Sequence, residues 1–351
     1  MSSRRTLGLL CWACILASSL VLLSVAPVNA QNTTYKVIRR IPVTGEGAWD
    51  YLKVDPDMKR IYLSRGTHMM VVDETTGKVL GDIADTKGIH GIAWATDLNK
   101  GFTSNGQADT VTVFDLKTLK PTGEIKVTGG NPDSIIYDPQ TKRVFTFNKR
   151  GLNATAIDAT TNQVVGTIVL GGNPEEPALD GKGSFYINLE DKSAISRFDT
   201  KTLMQTGGPW PLAPCEGPTG LAIDTKNRRL FASCDKVIAV MNADTGKVVA
   251  SPAIGGDPDG DGYDPGTGLL FASCREGLVS VIHQDSADKY TPMGNVTTQF
   301  GTRTMALDPK THHVFTVTAD FKPAAAPTAD NPRPRPTQIP DTFVILELAQ
   351  Q

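Results

Sequence analysis

One turn recurs along this 351-residue chain and limits what it can fold into. In its fullest form it reads DPQTKR, from Asp138 to Arg143. Aspartates hold the same place at Asp55, Asp180, Asp224, Asp264 and Asp308, and Ala95 takes it in one copy. That makes seven copies, 40 to 44 residues apart. Self-similarity at this period marks a repeat architecture whose units bury their apolar faces against one another.

Each unit has the same parts. A Gly/Pro-rich loop leads into a short apolar run, such as Ser134 to Tyr137. The aspartate turn follows, then a second run, Arg143 to Phe147 in that copy. The third run alternates apolar and polar residues, as in Val111 to Asp115, which is the period of a strand. A turn such as Thr75-Thr76-Gly77-Lys78 leads to the fourth run, Lys78 to Ile83. Four short antiparallel strands in about 42 residues describe a β-propeller blade. A β-sandwich does not repeat in this way, and solenoid coils are shorter. The expected fold is therefore all-β, a seven-bladed propeller with four antiparallel strands per blade. The last copy runs out after its third strand, and the N-terminal run Tyr35 to Val43 has no blade of its own. That spare strand is expected to complete the last blade and close the ring, which removes an open sheet edge.

The first 30 residues read as a separate segment. Arg4 and Arg5 precede an apolar run, Leu7 to Val25, and Val28-Asn29-Ala30 offers a small-residue cleavage site. This is the pattern of a signal peptide cut before Gln31; an uncleaved anchor is the alternative. The expected layout is a leader over 1–30 and one propeller over 31–351. A Pro/Ala-rich insertion, 320–341, interrupts blade seven as either an exposed loop or a lid or docking arm. Loss of Arg4 and Arg5 takes the formal charge from -2 to -4, so no basic excess is left to neutralise phosphates and nucleic acid is not an expected partner. Three cysteines remain beyond the leader: Cys215, Cys234 and Cys274.

The second-strand segments read IYLSRG, GFTSNG, VFTFNK, FYINLE, LFASCD, LFASCR and VFTVTA. With the GNP loops and the V-x-V-x-D third strands, they resemble the YVTN-repeat (YncE-like) propellers over residues 35–351. The resemblance implies a fold and leaves the activity open, since such propellers serve many roles. It also implies that the leading loops and the loops between second and third strands share one face.

On that face, the position five residues before the turn carries Asp50, His90, Asp133, Glu175, Thr219, Asp259 and Arg303. Packing demands no polar residue there. If the column rings the channel mouth, four acids converge, and two carboxylates about 6 Å apart repel by roughly 3 kcal/mol at an effective dielectric near 20. Such a ring calls for a cation, shifted pKa values or the Arg303 charge. The column is thus the expected site for a small polar ligand or metal ion; solvated residues pointing apart are the alternative. Blade six adds Asp257-Pro258-Asp259-Gly260-Asp261-Gly262, the first half of a calcium loop. Asp257, Asp259 and Asp261 are candidate ligands for Ca²⁺ or another divalent cation, although Gly268 stands where the bidentate Glu belongs. Asp261 also sits in an otherwise apolar column, a costly place unless paired or ligated. His90 is a candidate general base or a structural histidine. Cys215 and Cys234 belong to one blade and one face, so they form the expected disulfide, with Cys234–Cys274 as the alternative.

No nucleophile elbow, phosphate loop, CxxC or HExxH is present. The favoured function is a periplasmic or secreted monomer that binds a protein partner or small polar ligand through its loop face and channel mouth, with no membrane association beyond export. The alternative is a metal-assisted enzyme of the lactonase or lyase type at the same mouth, and the sequence leaves the choice open.

Overall fold

The recurring aspartate works as a local lock on the backbone. In the computed structural model, which describes residues 33–351 other than 46, 325, 327, 329–333 and 335, the turn carboxylates accept the amide proton two residues on. The pairs are Asp55 with Asp57, Asp138 with Gln140, Asp180 with Lys182, Asp224 with Lys226, Asp264 with Gly266 and Asp308 with Lys310. An aspartate side chain imitates a backbone turn in this way. Ala95 has no such oxygen, and there the chain bends through a 3-10 turn, Thr96–Leu98, closed by a left-handed Asn99. A second lock follows each third strand in blades one to five, at Asp73, Asp115, Asp158, Asp199 and Asn242.

These turns fold the chain into seven four-stranded antiparallel sheets. Their innermost strands are Leu52–Asp55, Ile89–Ala95, Pro132–Asp138, Pro174–Leu179, Gly220–Asp224, Pro258–Asp264 and Met305–Asp308. The second strands, such as Arg143–Asn148, are buried on both faces, which explains their nearly continuous apolar sequences. The fourth strands, such as Pro121–Lys126, face water. The core is split accordingly. Seven clusters of buried side chains fill the seven gaps between adjacent blades. Phe145, Phe147, Phe185 and Phe198, for instance, close the gap between blades three and four. Because every wedge is shared, no blade is stable alone.

The spare N-terminal strand, Tyr35–Pro42, pairs antiparallel with the last strand, Val344–Gln350, and becomes the outer strand of blade seven. Arg39 holds the seam. Its Nε lies 2.5 Å from Glu347 Oε2, and it donates to the carbonyls of Thr75 (2.6 Å) and Glu74 in blade one. His313 takes the other oxygen of Glu347 at 2.6 Å. Tyr35 packs edge-on against Phe271 of blade six at 4.9 Å.

The insertion leaves and rejoins blade seven as a short ladder, Phe321–Lys322 with Thr337–Gln338. The expected leader over 1–30 lies outside the described residues. Among the described residues, no helix is long and apolar enough to cross a membrane.

Closure by the N-terminal strand carries a direct consequence. Removing residues up to 43 should abolish the cooperative thermal transition, followed by circular dichroism, because it strips one strand and the Arg39 seam. A truncated chain melting within about 2 °C of the full one, about 1.3 kcal/mol at this size, would contradict it.

Candidate functional site

The leading loops are held in place by buried and half-buried polar groups that reach from one blade to the next. Ser104 donates to the carbonyl of Asp133, and Ser134 to that of Glu175. Asn188 reaches the Gly220 carbonyl at 2.7 Å and Thr219 that of Pro258 at 2.9 Å. Ser273 donates to the Arg303 carbonyl, and Arg303 to that of Trp49 at 2.9 Å. A buried donor left without an acceptor costs about 1–3 kcal/mol, so these links fix each loop to its neighbour.

The predicted column is brought together by this stitching. Its charges form one alternating chain: Asp259, Arg303, Asp50, His90, Asp133, Lys149, Glu175. Arg303 bonds Asp259 and lies 3.8 Å from Asp50. His90 Nδ1 is 2.5 Å from Asp50 and 3.1 Å from Asp133. Lys149 is 3.0 Å from Asp133 and bonds Glu175. Thr219, the neutral member, spends its hydroxyl on backbone. The four acids that the sequence sets converging are thus separated by three basic groups from the protein itself.

Burial and charge compete within the chain. Burial opposes the charge on Asp50, but the hydrogen bond and charge of His90, with Arg303 and Lys149, outweigh it and hold the acid below its ordinary value. Burial opposes the charge on His90 too, yet Asp50 and Asp133 raise its pKa. Burial raises Asp133 against the pull of Lys149. It pushes Glu175 up to about 9, and Asp259 up to about 7 against Arg303. The Tyr51 hydroxyl is raised well above its usual value by burial, then by the carboxylates around it.

Deeper in the channel, Lys53 crosses to Glu176 at 2.6 Å. Asp261 faces the same region, its carboxylate buried with no hydrogen-bond partner at bonding distance among the described residues. Burial raises its pKa well above the ordinary value, against smaller opposing pulls from Ser233 and Lys53. The structure does not gather Asp257, Asp259 and Asp261 around one point. Asp257 is exposed against Arg275 at 3.2 Å, Asp259 belongs to Arg303, and the carboxylate oxygens of Asp261 are buried elsewhere. The physical reason is the backbone. Pro258–Asp264 is an extended strand, where alternate residues lie about 7 Å apart, whereas a calcium loop curls its ligands inward. The described group whose donor atoms do converge, all within 4.8 Å, is Asp50, His90 and Asp133.

Two basic residues at this face were missed by the sequence reading. Lys149 and Arg275 hold the sixth position of the second-strand segments VFTFNK and LFASCR. The column at that position (Gly66, Gly106, Lys149, Glu190, Asp235, Arg275 and Ala319) is the signal that would have found them. Arg275 and Arg303 line a cavity of about 200 Å³ beside the ring, with Trp49, Phe300, Phe321 and Gln338. Phe321 and Gln338 come from the base of the insertion. Phe321 lies 5.5 Å from Phe300 and 6.2 Å from Trp49, centroid to centroid. The insertion therefore contributes a wall to a mouth-face pocket. On the same face, Cys215 is bonded to Cys234, α-carbons 5.5 Å apart, and Cys274 is a buried free thiol.

No known protein family and no curated protein sequence matches the chain. Solved structures do. The chain is similar to a structure of Kuenenia stuttgartiensis hydrazine synthase, at 16% identity and a TM-score of 0.68, over 78% of this chain and 94% of that one. It is similar to the RRP9 WD40 repeats, at 9% identity and 0.71, over 90% and 97%. It is also similar to a chain of the mitotic checkpoint complex, at 12% identity and 0.70, over 97% and 100%. At these identities the likeness shows the seven-bladed propeller and nothing finer.

Two outcomes follow from the charge chain. Glu175 binds its proton more tightly folded, about 9, than at its ordinary 4.5. The stability that Glu175 contributes is therefore fully present below about pH 4.5 and lost as pH rises to about 9; Asp259 adds to the fall between 3.8 and about 7. Glu175→Gln should flatten the melting-temperature profile between pH 5 and 9, and an unchanged slope would refute the assignment. Lys149→Ala leaves two buried acids without their cation and should cost on the order of 3 kcal/mol by denaturant unfolding.

Proposed function

We propose that this chain is an exported binding protein of the YVTN-repeat (YncE-like) kind, holding a small ligand or a partner segment on its mouth face without catalytic turnover. The observation that carries the reading is the alternating chain from Asp259 to Glu175. Each acid of the ring is engaged by a base of the ring, so the atoms that a metal ion or a general base would use are already held by partners within the ring. Beside it stands a pocket with aromatic and guanidinium walls, the composition of a recognition site. The leader-like first 30 residues and the Cys215–Cys234 bond fit an oxidising compartment, periplasmic or extracellular.

One observation favours the enzymatic reading. Asp50, His90 and Asp133 offer three donors within 4.8 Å, a set that suits a divalent metal able to polarise a lactone carbonyl. A single pair of assays separates the two. The purified protein is tested against a panel of small organic acids and amines by thermal shift, and against lactones and esters for hydrolysis. Binding predicts ligand-dependent shifts that vanish in Phe300→Ala and Arg275→Gln, with hydrolysis at background. Hydrolysis that disappears in His90→Gln would overturn it.

A further inference from the structure

The mouth-face pocket has features that narrow its occupant. Its volume of about 200 Å³ lies below the roughly 300 Å³ at which drug-sized sites begin, so one ring with a short substituent fills it. No acidic side chain lines it among the described residues, while two guanidinium groups do. Arg303 is fixed from behind by Asp259 and by the Trp49 carbonyl, and its planar fork carries five donors, enough to take a further acceptor. Among the described residues, the ion pair of Arg275 is with Asp257, whose side chain is 70% exposed. A pair that open to water contributes little, so Arg275 is free to exchange Asp257 for a carboxylate in a drier place.

The remaining walls are aromatic. Phe300 is 47% exposed although it is a large apolar side chain. It meets Phe321 edge-on, and Trp49 lies beyond with the Arg303 guanidinium 5.8 Å from its ring. Edge-to-face packing and cation–π contact both favour a flat π-system between such walls, and a ring placed there would cover the open face of Phe300.

We infer that the pocket between Trp49, Phe300 and Phe321 is a binding site for a small aromatic carboxylate, its ring held by these walls and its carboxylate by Arg275 and Arg303. This rests on the reading of the mouth face as a binding surface and names the class of ligand it takes.

Benzoate is the probe, with benzamide as its neutral isostere and acetate as the charge without the ring. Binding is followed by tryptophan fluorescence and calorimetry on the purified protein. Benzoate should saturate at one site per chain. Benzamide and acetate should bind about tenfold or more weakly, the scale of a lost charge-assisted hydrogen bond. Arg275→Gln and Phe300→Ala should each weaken benzoate by a similar factor. Both residues are partly exposed, and melting temperatures check that both variants fold. Equal binding of benzoate and benzamide, unchanged binding in Arg275→Gln, or no saturable benzoate binding would each overturn the assignment. The thermal-shift panel tells that failure from failure of the broader reading. If another ligand class shifts the wild type but neither variant, aromatic acids fall and the mouth-face site stands. If no compound distinguishes wild type from variants, both fall.

Discussion

Everything at the mouth depends on buried and half-buried side chains that cross from one blade to the carbonyl of the next. The apolar wedges between blades hold the ring together but are non-directional. They would tolerate a small slide of one blade against another. A hydrogen bond from Ser104 to the Asp133 carbonyl, or from Asn188 to that of Gly220, would not. Six junctions carry such a link, and the seventh, between blades one and two, is made by Asp50 and His90 themselves. The stitching fixes the innermost loops, and the loops carry the charges. Four acids can therefore stand in one ring because their bases are placed between them with the same precision.

Much of this was legible in the sequence. The aspartate turn gave the period, and the period gave the blades. The missing fourth strand of the last copy located the closing strand, Tyr35–Pro42. The column from Asp50 to Arg303 was visible because each member sits at one distance from a turn whose geometry is the same in every blade. Register also joined Cys215 to Cys234.

What escaped the sequence has physical causes. Alternating aspartates in blade six have a period of two, which fits a calcium loop and a β-strand equally. Pairing with Leu269–Cys274 decided for the strand, and the ligands were pulled apart. Lys149 and Arg275 lie after the second strand, in a column whose other members include glycine, alanine and acids; the repeat aligns that column, but its mixed composition hides the two charges. The pocket was harder still. It needs Trp49 from blade one, Phe300 and Arg303 ahead of blade seven's first strand, and Phe321 from the insertion, and no local pattern links them. The Pro/Ala-rich stretch read as a loop or an arm; its ends form a ladder packed on the aromatic wall.

The central claim is that the acids and bases of the ring engage one another and leave recognition to the pocket beside it. Metal content of the purified protein, measured before and after chelation with melting followed alongside, tests this most directly. A ring whose members are already paired predicts metal well below one ion per chain and a melting temperature that chelation leaves unchanged. Stoichiometric divalent metal, released with a fall in melting temperature and absent from Asp133→Asn, would contradict it.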